Sequence, residues 1–168
     1  LQMTRLVTSD LEALGFPTQF EATHGGGSGP DLDPPVLVDF DFTPQQVDVS
    51  AQSQTVTCEV TVTDSGTGAS TGVSPSRSRC VLAPPIGSGL TGEQCNLHLS
   101  SGDVFSGIWT CNITIPQSTT PGAWLWDEVT MYDAAGNRFH HRTADLQALG
   151  FPTQLDVTYG SGSGWPTT

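Results

Sequence analysis

The stretch Thr55-Val-Thr-Cys-Glu-Val-Thr-Val-Thr63 alternates without a break. A period of two sends Val56, Cys58, Val60 and Val62 to one face of a strand and the threonines with Glu59 to the other. A half-buried β-strand is the element that such a pattern makes. Outward from it, the same reading recurs at intervals set by turn residues. Gly107-Ile-Trp-Thr-Cys-Asn-Ile-Thr-Ile115 places Trp109, Cys111, Ile113 and Ile115 together, and Pro35-Val-Leu-Val-Asp-Phe-Asp-Phe42 opens the series. Ser76 to Leu82, Gln94 to Leu99 and Arg138 to Arg142 add shorter strands. Many short strands with regular turn signals predict two packed sheets.

Ala123-Trp-Leu-Trp-Asp-Glu-Val-Thr-Met-Tyr132 departs from strict alternation, because Trp124 and Trp126 share a phase that Val129 and Met131 miss by one step. A β-bulge at Asp127-Glu128 restores the phase and turns all four inward. Near the end, Thr143 is placed to cap a brief helix with Asp145 in its first turn, Leu146 and Leu149 on one side, and Gly150-Phe-Pro152 as its stop. A last strand then runs from Phe151 to Tyr159.

Composition agrees with an all-β chain. Of 168 residues only 13% are charged, while Gly and Pro supply 19 and 12, which excludes coiled coils and helical bundles. The formal charge of −12 repels phosphate backbones and anionic lipid, so nucleic acid is not an expected partner. All five basic residues are arginines (Arg5, Arg77, Arg79, Arg138, Arg142), and without lysine neither Schiff-base chemistry nor a P-loop is available. No apolar run reaches the roughly 18 residues of a membrane span, and the first residues lack a signal-peptide layout, so a secreted form is expected to be a mature or excised piece.

Cys58, Cys80, Cys95 and Cys111 include no C-x-x-C pair, which disfavours zinc-ribbon and redox-motif readings. Two disulfides, and with them an oxidising compartment, are the simpler expectation. Phase and strand order suggest Cys58–Cys111 and Cys80–Cys95 as the pairs.

Asp10-Leu-Glu-Ala-Leu-Gly-Phe-Pro-Thr-Gln19 recurs as Asp145-Leu-Gln-Ala-Leu-Gly-Phe-Pro-Thr-Gln154, with nine of ten positions unchanged. So long a period belongs to whole domains in tandem and not to a solenoid. Residues 1–24 accordingly read as the closing strand segment of a preceding repeat, or as a strand donated to a neighbouring copy. Residues 25–30 read as a Gly/Ser linker, 31–160 as one complete domain and 161–168 as a linker or tail.

Pro116-Gln-Ser-Thr-Thr-Pro-Gly-Ala-Trp124, Val129-Thr-Met-Tyr-Asp-Ala-Ala-Gly-Asn137 and Ala144-Asp-Leu-Gln-Ala-Leu-Gly-Phe-Pro-Thr153 resemble segments of tandem bacterial immunoglobulin-like repeats, found in large secreted or cell-surface proteins. The resemblance covers residues 31–160 and implies an immunoglobulin-like antiparallel β-sandwich with a short helical turn before the last strand. It further implies a non-catalytic spacer, adhesive stalk or filament unit at the cell surface, joined head to tail to neighbouring copies or adjacent repeats, with polysaccharide or a host surface as the expected further partner. The four cysteines depart from what many such repeats contain.

In a sandwich of this order Asp31, Asp33, Asp64, Asp103 and the turn from Asp133 to Asn137 gather at the pole where the preceding linker arrives. Converging carboxylates suit Ca²⁺, which takes six to eight oxygens from flexible loops. The competing reading is that each Asp forms an Asx turn or keeps the surface soluble, since no spacing matches an EF-hand. No cofactor is otherwise required. His140 and His141 are adjacent on a strand and point to opposite faces, which prevents joint metal ligation. His24 and His98 stand apart, no serine sits in a Gly-x-Ser-x-Gly elbow, and Asp127 and Glu128 diverge instead of facing one cleft, so no enzyme is expected. The alternative function is a carbohydrate-binding accessory module, in which exposed tryptophans stack on polysaccharide. Trp109 and Trp124 are in phase with the core, leaving Trp165 in the linker. Asn112-Ile-Thr114 matches a glycosylation sequon with Asn112 facing outward.

Overall fold

The computed structural model describes residues 29–65 and 70–160. Within them the chain forms β1 (Val36–Thr43), β2 (Gln46–Asp48), β3 (Gln54–Thr63), β4 (Val73–Ala83), β5 (Glu93–Asn96), β6 (His98–Gly102), β7 (Ser106–Ile115), β8 (Gly122–Asp133), β9 (Arg138–Arg142), a short helix α1 (Thr143–Ala148) and β10 (Gln154–Thr158). One sheet has the order β1-β3-β7-β6; the other runs β2-β10-β8-β4-β5, with β9 also on β8. These two sheets pack as an all-β sandwich. The orders β1-β3-β7-β6 and β4-β8-β10 match the two sheets of immunoglobulin-like sandwiches.

The ladder between β3 and β7 runs unbroken from Gln54 opposite Ile115 to Thr63 opposite Ser106. Alternation therefore survives intact in both strands, and Val56, Val60, Val62, Trp109, Ile113 and Ile115 are all buried. In β8, Val81 faces Glu128 but Leu82 faces Trp126, so Asp127 is the extra residue of a bulge. Trp124, Trp126, Val129 and Met131 consequently all enter the core. Phe40 meets Trp126 edge-on at a centroid distance of 5.7 Å, and Phe42 lies 5.4 Å from it at a tilt. Such aromatic pairs contribute about 0.5–1.5 kcal/mol beyond area burial.

Four local expectations need correction. The segment from Gln94 to Leu99 is not one strand: β5 belongs to one sheet and β6 to the other, and the chain changes sheets at buried Leu97. β2, too short to show alternation, pairs parallel with β10, so the sandwich is not purely antiparallel. Thr143 does not cap α1; its hydroxyl donates to the carbonyl of Trp126 at 2.8 Å, while Asp145 accepts the backbone N–H of Arg142 at 2.9 Å. Leu146 is buried, but Leu149 is 53% exposed and does not share its packing.

The cysteine pairing is also different. Cys58 and Cys111 are register partners in one sheet, and Cys80 and Cys95 in the other, as phase suggests. The bond nevertheless joins Cys95 to Cys111, across the sandwich. The remaining two, Cys58 and Cys80, also face each other across the sheets with their sulfurs 2.7 Å apart. Inward side chains of neighbouring strands stand side by side, whereas those of opposed sheets interdigitate and can meet end-on. Phase locates a cysteine on a face; it does not choose between a lateral and a facing partner.

The two ends of the domain lie at opposite poles. Asn137, beyond the end of β8, donates to the carbonyl of Asp31 at 3.1 Å, which fixes the incoming chain there. At the other end of β8, Gly122 is the register partner of Val157, and Gly160 donates to Asp48 at 3.0 Å. The 12 residues of β8 separate these poles by about 35–40 Å.

Candidate metal centre

Three segments converge at the entry pole. The chain ahead of β1 brings Asp31, the end of β3 brings Asp64, and the end of β8 brings Asp133. All three are buried, and each offers a carboxylate oxygen within 4.8 Å of the other two. Backbone bonds hold the Asp64 and Asp133 segments side by side at this pole. Asp64 N–H bonds the carbonyl of Phe105 at 2.8 Å, and Ala134 N–H bonds that of Gly72 at 2.9 Å, so the loops are laced to one another. Gly72 has φ of +76°, and a Cβ there would lie 2.6 Å from a methyl of Val104. Only glycine makes this passage without strain.

The three carboxylates differ in how they are satisfied. Asp31 accepts from the backbone N–H and the hydroxyl of Thr71, both at 2.8 Å, and from the N–H of Asp33 at 3.3 Å. Asp133 accepts from the N–H groups of Gly136 and Asn137 at 2.6 and 2.8 Å and from the Asn137 side-chain amide at 2.7 Å. At Asp64 the Gly72 backbone and the Ser70 hydroxyl approach the carboxylate without closing a hydrogen bond. Asp64 is 1% exposed, yet neither of its carboxylate oxygens has a hydrogen-bond partner among the described residues. The nearby Ser70 hydroxyl is spent on the Asp64 carbonyl at 2.7 Å.

Electrostatics follows from this geometry. Burial, then the charges of Asp31 and Asp133, push the Asp64 carboxyl above its ordinary range, against a partial pull back from Gly72 and Ser70. Two unit charges about 4.8 Å apart repel by about 3 kcal/mol at an effective dielectric constant near 20. Arginine does not offset that repulsion among the described residues. Arg79 pairs with Glu128 at 2.8 Å, Arg142 approaches Asp127 at 3.5 Å, and Arg138 bonds the Tyr132 hydroxyl, with Arg77 over the same ring. The pole is rich in acceptors, and the described arginines are engaged elsewhere.

The other acidic candidates are placed differently. Asp103 is exposed and turned into its own hairpin, where it accepts the N–H groups of Phe105 and Ser106 at 2.9 Å. Asp33 stands outside the trio and contributes its N–H to Asp31. Asn137 serves as a brace, bridging Asp133 and the Asp31 carbonyl. Sequence order brought the right loops to one pole, but only the inward turn of each side chain selects among them.

A second cluster, Cys58, Cys80 and Cys111, also has ligand-type spacing. Cys111 is already bonded to Cys95, and burial followed by the neighbouring Cys80 pushes the Cys58 thiol well above its ordinary range. A protonated thiol is a poor metal ligand and a poor nucleophile. His140 lies 3.6 Å from Glu128, whereas His141 packs against the ring of Phe139 at a centroid distance of 5.1 Å. Asn112 is exposed, with its amide oxygen accepting from the Thr57 hydroxyl at 2.9 Å. Trp109, Trp124 and Trp126 are buried in the core, and Trp165 and His24 lie outside the described residues, as do residues 1–28 and 161–168. Among the described residues no helix is long and apolar enough to cross a membrane.

No curated protein and no solved structure matches the chain. The family model that matches, over residues 35–161, is the Domain of unknown function DUF7034. Its span takes in every strand from β1 to β10 and two of the three buried carboxylates, Asp64 and Asp133, with Asp31 just ahead of it; the chain belongs to this family.

Proposed function

We propose that the chain is a non-catalytic structural module of an extracellular or cell-surface protein, joined to further copies head to tail and used for spacing or adhesion. One observation carries this reading: the polypeptide enters at the Asp31 pole and leaves at the opposite one, a β8 length away. A domain with its ends so placed adds its full length to an array, whereas adjacent ends would fold consecutive units back on themselves. The duplicated decapeptide supports the same reading. Its second copy, Asp145 to Gln154, forms α1 and leads into β10, with Leu146 and Leu155 buried, so the motif is the closing segment of a sandwich. Its first copy, Asp10 to Gln19, lies outside the described residues and repeats that sequence ahead of the domain. The cross-sheet disulfide fits an oxidising compartment. The sugar-binding alternative draws no support from Trp109, Trp124 or Trp126, whose faces are packed inside.

Small-angle scattering on two copies of residues 1–168 fused in tandem tests the spacer reading. The maximum dimension is expected to exceed that of a single copy by about 35–40 Å or more. A tandem protein no longer than one copy would overturn it.

A further inference from the structure

We propose that Asp31, Asp64 and Asp133 together bind one hard divalent cation of the calcium type, which pins the incoming chain to the sandwich. This goes beyond the spacer reading and does not depend on it. The three carboxylate oxygens lie within 4.8 Å of one another. That spread admits an ion at the 2.3–2.6 Å typical of calcium–oxygen bonds. Every candidate ligand is oxygen, which excludes a preference for soft metals.

The observation that points to a ligand is Asp64. A buried carboxylate normally collects hydrogen bonds or a charge partner, and a buried acceptor left alone is costly. Asp31 and Asp133 show how this pole satisfies a carboxylate when it needs only local donors: backbone N–H groups, Thr71 and Asn137 surround them. Those donors also fix the two side chains in place, leaving them preorganised toward Asp64. Asp64 has no hydrogen-bond partner for either oxygen among the described residues, although both are enclosed. A cation between the three groups answers the missing partner of Asp64 and the mutual repulsion at once. Water supplies the remaining oxygens that calcium requires.

The ligands come from three separate segments, which gives the site its mechanical meaning. Asp31 belongs to the chain entering the domain, whereas Asp64 directly follows β3 and Asp133 ends β8, strands of opposite sheets. An ion shared among them ties the entry segment to both layers. Ligands on loops tolerate the larger, irregular calcium shell better than the strict octahedron of magnesium.

Calorimetric titration of the metal-free full chain with CaCl₂, paired with melting curves, tests the proposal. Heat corresponding to about one ion per chain is expected, with a dissociation constant of about 0.1–1 mM, the range of extracellular calcium modules. Calcium at about 100 times that constant should raise the melting temperature by about 5–10 °C. Equal concentrations of MgCl₂ should act more weakly, and NaCl matched in ionic strength should not reproduce the shift. Asp64→Asn, which keeps the shape and removes the charge, should abolish the calcium response while melting no lower than the metal-free parent. If that variant does not fold, Asp31→Asn carries the same comparison. No binding heat and no shift up to 10 mM CaCl₂ on the parent chain would refute the site, as would a D64N protein that responds like the parent. Such a result leaves the length of a tandem protein, and hence the spacer reading, untouched.

Discussion

The middle of the sandwich and its entry pole both bury groups that an apolar core does not tolerate freely, and they are stabilised in opposite ways. At the middle, four cysteines from both sheets meet inside: Cys95 and Cys111 are bonded, and Cys58 and Cys80 touch. Sulfur is soft and nearly apolar, so this cluster packs as core whether or not it is bonded. At the pole, three carboxylates meet inside and two are held by local donors, while the third has no hydrogen-bond partner among the described residues. Charge makes the difference. A thiol loses little on burial, but a carboxylate loses the hydration of a full charge. The middle can therefore be completed by the chain itself, whereas the pole needs something from outside.

The largest expected effect concerns the middle. Replacing both Cys95 and Cys111 by alanine should cost about 3 kcal/mol in urea unfolding, the scale for a bond that closes a loop of this length, given their 16-residue separation. Peptide mapping of the oxidised protein without reductant should return Cys95–Cys111 together with Cys58–Cys80, because the latter sulfurs already face each other. Recovery of Cys58–Cys111 instead would mean that the bonds staple neighbouring strands, and the contrast with the pole would lose its cross-sheet basis.

A smaller effect is expected at the pole. Gly72→Ala puts a methyl 2.6 Å from Val104 at a backbone φ of +76°. Strain in the left-handed region and displacement of Val104 should together cost about 1–3 kcal/mol. If the pole is the device inferred above, G72A should also weaken the calcium-induced rise in melting temperature, since the Gly72 carbonyl holds Ala134 next to Asp133. A stability loss with an unchanged calcium response would separate the loop's structural part from the ligand geometry.

How far each region could be read from sequence follows from the range of its determinants. The strands β3, β7 and β8 were legible, including the bulge at Asp127, because alternation is local and long runs of it leave one phase for the core. The sheet change at Leu97 and the short parallel strand β2 were not, for Gln94 to Leu99 alternates smoothly and three residues of β2 carry no period. The pole was legible as a set of loops. Which carboxylates close on each other was not, because Asp103 and Asp133 each sit in a turn and accept local N–H groups; only Asp133 is drawn inward by the brace of Asn137. Cysteine partners failed for a related reason: the register that sets Cys58 against Cys111 is lateral, while bonding depends on the distance between sheets.

The smallest effect distinguishes two buried-side carboxylates of opposite behaviour. Burial pushes Glu128 upward as it does Asp64, but the Thr130 hydroxyl, the Arg79 guanidinium and the nearby His140 outweigh it, and the Glu128 carboxyl ends below its reference value of 4.5. Thr130 and Arg79 both reach the same oxygen at 2.8 Å. A folded-state value below the unfolded one means that Glu128 adds stability above the unfolded value and surrenders it as pH falls through the folded one. Urea midpoints at pH 7 and pH 3 should therefore converge in Glu128→Gln relative to the parent. The difference should be about 0.5–1 kcal/mol, kept small because Arg79 is 44% exposed and screened. Glutamine does not titrate, so an unchanged pH response in E128Q would show that Glu128 carries no folded-state shift and overturn this prediction. The contrast between Glu128, where donors and Arg79 outweigh burial, and Asp64, where burial wins, would then fail.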